Sequence, residues 1–316
     1  MNFSRLILES EIIFTEGAVL ERVRRETGAK MDEGGLLHAA LVYDELGGEI
    51  LENIYRQYLD IGKNNGLPMI VMTPTWRANK DRIAGSPYKG RDVNKDCFDF
   101  LDRIRRSYGS YGGDIYIGGL TGCRGDAYRP SESLTTAEAR EFHKSQAAAL
   151  SSAGADFLIA ETLPALAEAI GIALAMAETG KTYAISFVIR ADGCLLDGNS
   201  LSAAIDRIDS AVSPKPLFYM VNCVHPSILA AALAAETNKT VATGGRLIGI
   251  QANASSLSPE ELDCSSLLQA DDENEFFDIV KKLRENHGIK IFGGCCGTTG
   301  HHIEEMIKTF GYSKPR

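Results

Sequence analysis

Eight short apolar runs recur along the chain, at residues 6–14, 68–73, 115–120, 157–160, 183–188, 217–221, 247–251 and 289–292. Amphipathic stretches separate them, as at 137–151, 166–179, 226–235 and 273–286. Strand-sized runs alternating with helix-sized ones imply βαβ units and a parallel sheet. Eight such units predict closure into one α/β (β/α)8 barrel, a single domain over residues 1–316. An open doubly wound sheet is the alternative. It is weakened because no Gly-x-Gly-x-x-Gly turn follows the first run. At 316 residues and 44% hydrophobic content, the chain can fill a barrel of this class, which needs roughly 250 residues.

Two connections are longer than one crossover requires. Residues 32–65 predict two helices, at 36–43 and 49–64. Residues 77–96, with Gly85, Pro87 and Gly90, predict a long loop over the barrel mouth.

The formal charge of −9 gives no basic surface for nucleic acid or an anionic membrane. No run approaches the roughly 18 apolar residues of a membrane span. Glu9 and Glu11 interrupt the N-terminal apolar stretch, unlike a signal peptide. Cytoplasmic residence is the expectation. Partners should be small molecules, with neither nucleic acid nor membrane among them.

Seven cysteines without a secretion signal do not suggest a disulfide framework. Cys97, Cys194 and Cys264 read as small buried hydrophobes. Cys123, in a glycine-rich strand end, is open. Cys223, Cys295 and Cys296 differ, because each follows a strand-like run. Zinc takes thiolate sulfur tetrahedrally, and a catalytic site keeps one position open. Three cysteines would fill three positions and leave the fourth to substrate. Adjacent cysteines on a strand point to opposite faces, so sharing one metal demands a sharp turn. Gly293, Gly294 and Gly297 read as the residues that permit it.

The string Gly293-Gly294-Cys295-Cys296-Gly297-Thr298, together with Asn222-Cys223, resembles the signature of the homocysteine S-methyltransferases. The resemblance runs through most of the chain and is weakest at the N-terminus. It implies a zinc enzyme on a (β/α)8 barrel, with Cys223, Cys295 and Cys296 as metal ligands, that methylates a thiol. Early strands depart from the family pattern. Glu16-Gly17 stands where an Asp-Gly is usual, and Thr73-Pro74-Thr75 where Thr-Asn-Thr is common.

In a barrel, active-site residues lie at the C-terminal ends of strands. Those ends carry Thr15-Glu16-Gly17, Thr73-Pro74-Thr75-Trp76, Glu161-Thr162, Ser186-Phe187, Asn222-Cys223, Gln251-Ala252-Asn253 and the glycine-cysteine string. The resemblance gives Glu161 the amino group of homocysteine. The alternative is an acid at a helix start, with Thr162 as cap. Glu16 and Thr75 are further candidate substrate contacts. Asn222 could hydrogen-bond a metal thiolate or fix a loop. Thr298 sits where a helix N-terminus could take a carboxylate, although capping by Thr299 competes. His301 and His302 read as helix-surface residues. His225 is a conceivable fourth ligand. Trp76 reads as pocket wall or as buried packing.

The expected reaction moves a methyl group from a sulfonium donor, S-methylmethionine or S-adenosylmethionine, to homocysteine. A separate corrinoid protein is an alternative donor, and another thiol or a selenol an alternative acceptor. Betaine is the less favoured donor, because its users resemble a longer chain with a C-terminal oligomerisation arm. A non-catalytic barrel with structural zinc is the remaining alternative, and would need a fourth protein ligand.

Overall fold

A computed structural model describes residues 2–29, 31–32, 35–257 and 272–312. Eight parallel strands close into a barrel in chain order. They are β1 (Ile13–Thr15), β2 (Met69–Met72), β3 (Ile115–Gly122), β4 (Phe157–Leu163), β5 (Tyr183–Phe187), β6 (Phe218–Val224), β7 (Leu247–Ala252) and β8 (Ile291–Gly294). Closure is made by β1 on β8, with Ile13 opposite Ile291 and Phe14 opposite Phe292. The expected α/β barrel is what the chain forms.

Alternation along each strand sorts the side chains into two cores. Ile13, Ile70, Met72, Tyr116, Phe157, Ile159, Phe218, Met220 and Ile291 fill the barrel interior. Their neighbours Phe14, Val71, Ile117, Leu158, Tyr219 and Phe292 face the surrounding helices. The same parity carries the interior upward: Glu161 follows Phe157 and Ile159, and Asn222 follows Phe218 and Met220. Two residues per step decide which strand-end groups reach the mouth.

The first expected strand, 6–14, is mostly something else. Phe3–Glu9 is a helix, and only Ile13–Thr15 is strand. Asn2 caps the helix by accepting the Arg5 amide at 2.9 Å. Phe3, Leu6 and Ile7 fall on one helical face and join the interior core. Phe3 stacks on Phe157 with ring centroids 3.8 Å apart, closing the lower end of the barrel. The helical spacing of 3, 6 and 7 was hidden inside an apolar run.

The segment after β2 also differs from expectation. Residues 77–96 contain a short helix, Lys80–Gly85, and the start of another, Val93–Ser107. Asn79 and Asp92 cap them through the Arg82 and Lys95 amides. Gly85 ends the first helix, and Pro87 and Gly90 lie in the turn to the second, so the segment is not an open loop. Between β1 and β2, residues His38–Tyr43 form a 3-10 turn, and Glu45–Asn65 a long helix capped by Asp44. Among the described residues, no helix is long and apolar enough to cross a membrane.

Candidate active site

The upper end of the barrel opens into a cavity of about 460 Å³. Glu16, Glu161, Asn222, Cys223, Cys295 and Cys296 all line it. Trp76 does too, and its Nε1 donates to the Glu161 carbonyl at 3.4 Å, so it is wall. None of residues 77–96 lines the cavity.

Strand parity alone would turn Cys223 outward, away from its neighbour Asn222. A bulge prevents this. The β6–β7 register shifts between Asn222 and Val224, and Cys223 adopts φ +55°. Such a shift re-aims one side chain, so Asn222 and Cys223 both face the cavity. A positive φ is unusual for a residue with a Cβ and is held in place by its surroundings. Here Asn222 is the anchor. Its Oδ1 accepts from the Thr162 amide at 2.8 Å and the Ser186 hydroxyl at 2.7 Å. Its Nδ2 donates to Thr162 Oγ1 at 2.7 Å and to the Cys223 sulfur at 3.4 Å. Thr162 repeats the device on β4, with φ +59° beside a second register shift.

The glycines of the β8 end divide their work differently from the sequence expectation. Gly293 and Gly294 lie in the strand itself. A Cβ on Gly293 would overlap Thr15 Oγ1, and one on Gly294 would overlap Thr298 Oγ1. They allow β8 and its loop to lie close against β1, where the Gly294 amide donates to the Glu16 carbonyl at 3.0 Å. The turn itself falls to Gly297, at φ +82°. The Gly297 amide also donates to the Glu21 carboxylate.

As a result, the Cys223, Cys295 and Cys296 sulfurs lie within 4.8 Å of one another. Cys223 and Cys295 form a disulfide, with Cα atoms 5.4 Å apart, and Cys296 carries a free thiol. Burial, with Glu21 beside it, pushes the Cys296 thiol up to about 12. With the pair reduced, three soft donors converge on one point from two loops. That donor set suits zinc, whose tetrahedral thiolate sulfurs stand roughly 3.8 Å apart for bonds of about 2.3 Å. Among the described residues no fourth ligand joins the cluster. His225 is engaged elsewhere: its Nδ1 meets the Ser227 hydroxyl at 2.7 Å and caps the helix Pro226–Ala234.

Two buried carboxyls stand in the same cavity. Glu161 is 8% exposed and Glu16 is 5% exposed. Burial, then the charge of Glu16, pushes the Glu161 carboxyl up to about 8. Burial pushes Glu16 up to about 7, against the pull of the Met72 amide, which donates to its Oε1 at 2.9 Å. Glu16 Oε2 and Glu161 Oε1 have no hydrogen-bond partner. The helix-start alternative for Glu161 is not what forms. Its strand continues to Leu163, the helix Leu166–Ala177 has no side-chain cap, and the Thr162 hydroxyl accepts from Asn222.

Two candidates from the sequence stand behind the wall. Thr75 and Thr298 do not line the cavity, and both are fully buried. The Thr75 hydroxyl donates to the Leu120 carbonyl at 2.6 Å, and that of Thr298 to the Cys295 carbonyl at 2.7 Å. Thr298 thereby pins the cysteine turn. Thr299 begins the helix Gly300–Thr309, and its amide donates to His302 Nδ1 at 3.2 Å. His302 is therefore a buried part of the helix start and not a surface residue, whereas His301 is exposed. Cys97 and Cys123 are buried, Cys194 is only half-buried, and Cys264 lies outside the described residues.

Gln251 and Asn253, placed at the mouth by the seventh strand end but given no role, line the cavity, and so does His38, which the sequence did not single out. Gln251 follows the interior parity of β7, and its Nε2 donates to Thr15 Oγ1 at 3.2 Å, across 236 residues of chain. The parity was a usable signal for Gln251. Nothing local marks His38.

A closed parallel barrel thus carries at its upper mouth three sulfurs close enough to hold a metal ion, beside two buried acids. The family model described as Homocysteine S-methyltransferase matches residues 13–310, and the chain belongs to that family. It is 28% identical to Homocysteine S-methyltransferase YbgG of Bacillus subtilis over 64% of this chain and 60% of that protein. It is 26% identical to Betaine–homocysteine S-methyltransferase 1 of Bos taurus over 82% of this chain and 64% of that protein. The matched region therefore spans less than two thirds of the length of these relatives. Among solved structures, the homocysteine methyltransferase MmuM from Escherichia coli, metallated form, shares the fold at a TM-score of 0.74. That match has 20% identity and covers 96% of this chain and 97% of MmuM.

Proposed function

We propose that this chain is a zinc-dependent S-methyltransferase that moves a methyl group from a small sulfonium donor to the thiol of homocysteine, giving methionine. The observation that carries the reading is the sharing of one cavity by three cysteine sulfurs and two buried, incompletely paired carboxyls. Cys223, Cys295 and Cys296 would hold the metal. Zinc held by three thiolates would lower the pKa of an incoming thiol, so that the acceptor is a thiolate at neutral pH.

The rest is the work of the chain's own groups. Asn222 donates a hydrogen bond to the Cys223 sulfur and fixes its direction. Glu161 and Glu16, whose pKa values burial raises to about 8 and about 7, form a carboxyl pair that suits the acceptor's ammonium group, since an entering cation favours their ionised form and a buried carboxylate gains most from a cationic partner. Trp76 and Leu120 wall the cavity, and excluding water strengthens the electrostatic contacts inside it. In the transfer, the acceptor sulfur uses a lone pair to form the new S–CH3 bond. The methyl–sulfonium bond breaks as its electron pair stays on the donor sulfur, which leaves as a neutral thioether. The thiol proton goes to solvent, and no protein base is needed.

S-methylmethionine and S-adenosylmethionine are the donors that fit this chemistry. A cavity of about 460 Å³ lies toward the small end of ligand pockets, roughly 300–1,000 Å³, which favours the smaller donor. Residence in the cytoplasm goes with this reading. A screen of donors against acceptors with zinc-loaded protein tests it. Methionine should form from homocysteine and S-methylmethionine. No transfer to homocysteine from any sulfonium, betaine or methylcorrinoid donor would sink the proposal.

A further inference from the structure

His38 is a cavity-lining polar group with no part in the chemistry above. Its ring is 5% exposed, and its Nδ1 has no hydrogen-bond partner. A buried polar group left unmade costs about 1–3 kcal/mol, so its place calls for a reason. The backbone that presents it is also unusual. Leu37, just before it, is buried at φ +53°, ψ −130°, a conformation a leucine avoids. The Leu37 amide is tied to the Asp32 carbonyl at 2.9 Å, and the Leu36 amide to the Asp32 carboxylate at 3.0 Å. Leu36, Ala39 and Ala40 pack against Ala78, Val93 and Cys97, so the turn is anchored on both sides of the ring.

The electrostatic setting says which group the ring would meet. Glu16 and Glu161 give one side of the cavity two buried carboxyls, the natural partners of a cation, and Arg24 lines the same cavity as His38. Burial, then the charge of Arg24, holds the His38 imidazole near pKa 3. The ring is therefore neutral at physiological pH and still carries one N–H donor. A zwitterionic substrate with its ammonium at the two glutamates must place its carboxylate elsewhere in the cavity.

Resting on the methyltransferase reading, we infer that His38 is a specificity-determining residue whose imidazole N–H hydrogen-bonds the carboxylate of one of the two substrates. The carboxylate could belong to the acceptor or to an amino-acid sulfonium donor. Substrate analogues separate the two. Homocysteine is compared with 3-aminopropane-1-thiol, and S-methylmethionine with (3-aminopropyl)dimethylsulfonium, each analogue lacking only the carboxylate. A hydrogen bond to a charged group is worth roughly 1.5–3 kcal/mol, so the wild type should prefer the acid about tenfold or more in kcat/KM. His38→Phe should collapse that preference for one substrate, acting on its KM, with zinc content unchanged. His38→Asn should restore part of it. Loss of preference for the acceptor pair or for the donor pair assigns the carboxylate. If wild type transfers methyl but both preferences survive in His38→Phe, the His38 inference falls and the methyltransferase reading stands. If wild type transfers from no donor, both fall.

Discussion

The two ends of the barrel are built on opposite principles. The lower end is saturated and apolar: Phe3, Leu6 and Ile7 of the first helix plug it, and Phe3 stacks on Phe157. The upper end is polar and incompletely satisfied. Buried side-chain atoms without a hydrogen-bond partner line its cavity on Glu16, His38, Glu161, Gln251 and Asn253. Three non-glycine residues at that end, Leu37, Thr162 and Cys223, hold positive φ. Unpaired groups and strained backbone lower stability, so the upper end is tolerated only because the lower end and the helical shell hold the barrel closed. Substitutions at the two ends should therefore separate cleanly, the upper ones in chemistry and the lower ones in stability.

The largest effect is expected at the metal. Cys296→Ala, prepared reduced and offered zinc, should lose most of its metal and at least a thousandfold in activity, with a far-UV spectrum like wild type. Metal analysis decides it. Full zinc in the Cys223, Cys295 and Cys296 alanine variants alike would break the assignment and leave the upper end without its chemistry.

The reverse result is expected below. Phe3→Ala should lower stability by about 3–5 kcal/mol, the usual cost of truncating a buried phenylalanine. Zinc content and KM should hold. A change in KM larger than the change in stability would show that the ends are coupled.

Glu161→Gln should move both quantities, in opposite directions. Acceptor KM should rise about 10- to 100-fold while zinc stays, because the ammonium loses its buried anionic partner. Without substrate, the variant should be the more stable protein above neutral pH. The sign follows from linkage. The folded-state pKa of Glu161 is raised from 4.5 to about 8, so the folded form holds its proton more tightly than the unfolded chain. Its contribution is full below about 4.5 and is lost as pH rises through about 8. Glu16 adds the same trend toward about 7, and the two titrate as a pair. Thermal melts from pH 5 to 8.5 should show a downward slope in wild type that flattens in Glu161→Gln. An equal slope in both would remove Glu161 from the cavity's electrostatics.

The smallest effect is expected at Asn222. Asn222→Ala removes the donor to the Cys223 sulfur and the anchor of Thr162, and should weaken zinc affinity about tenfold. Unchanged affinity in a competition with a chelator would mean that the bulge alone orients Cys223.

The sequence by itself determined the repeated strand-helix order, the positions of seven of the eight strands to within a few residues, and the three cysteines. Those signals are local: apolar run length, helical spacing and a motif of adjacent residues. It misread residues 6–14, where helical spacing lay inside an apolar run, and residues 77–96, where turn residues joined a short helix to a long one. Only the tertiary structure decided which groups meet. Strand parity turns Cys223 away from the cavity, and a register shift against β7 turns it back. Gly293 and Gly294 look like turn residues until Thr15 and Thr298 are seen in the space a Cβ would take. Glu16 raises the pKa of Glu161, and Gln251 reaches Thr15, only because the last strand closes on the first. Closure is a long-range event. It sets distances between residues hundreds of positions apart, and no local pattern in the chain carries that information.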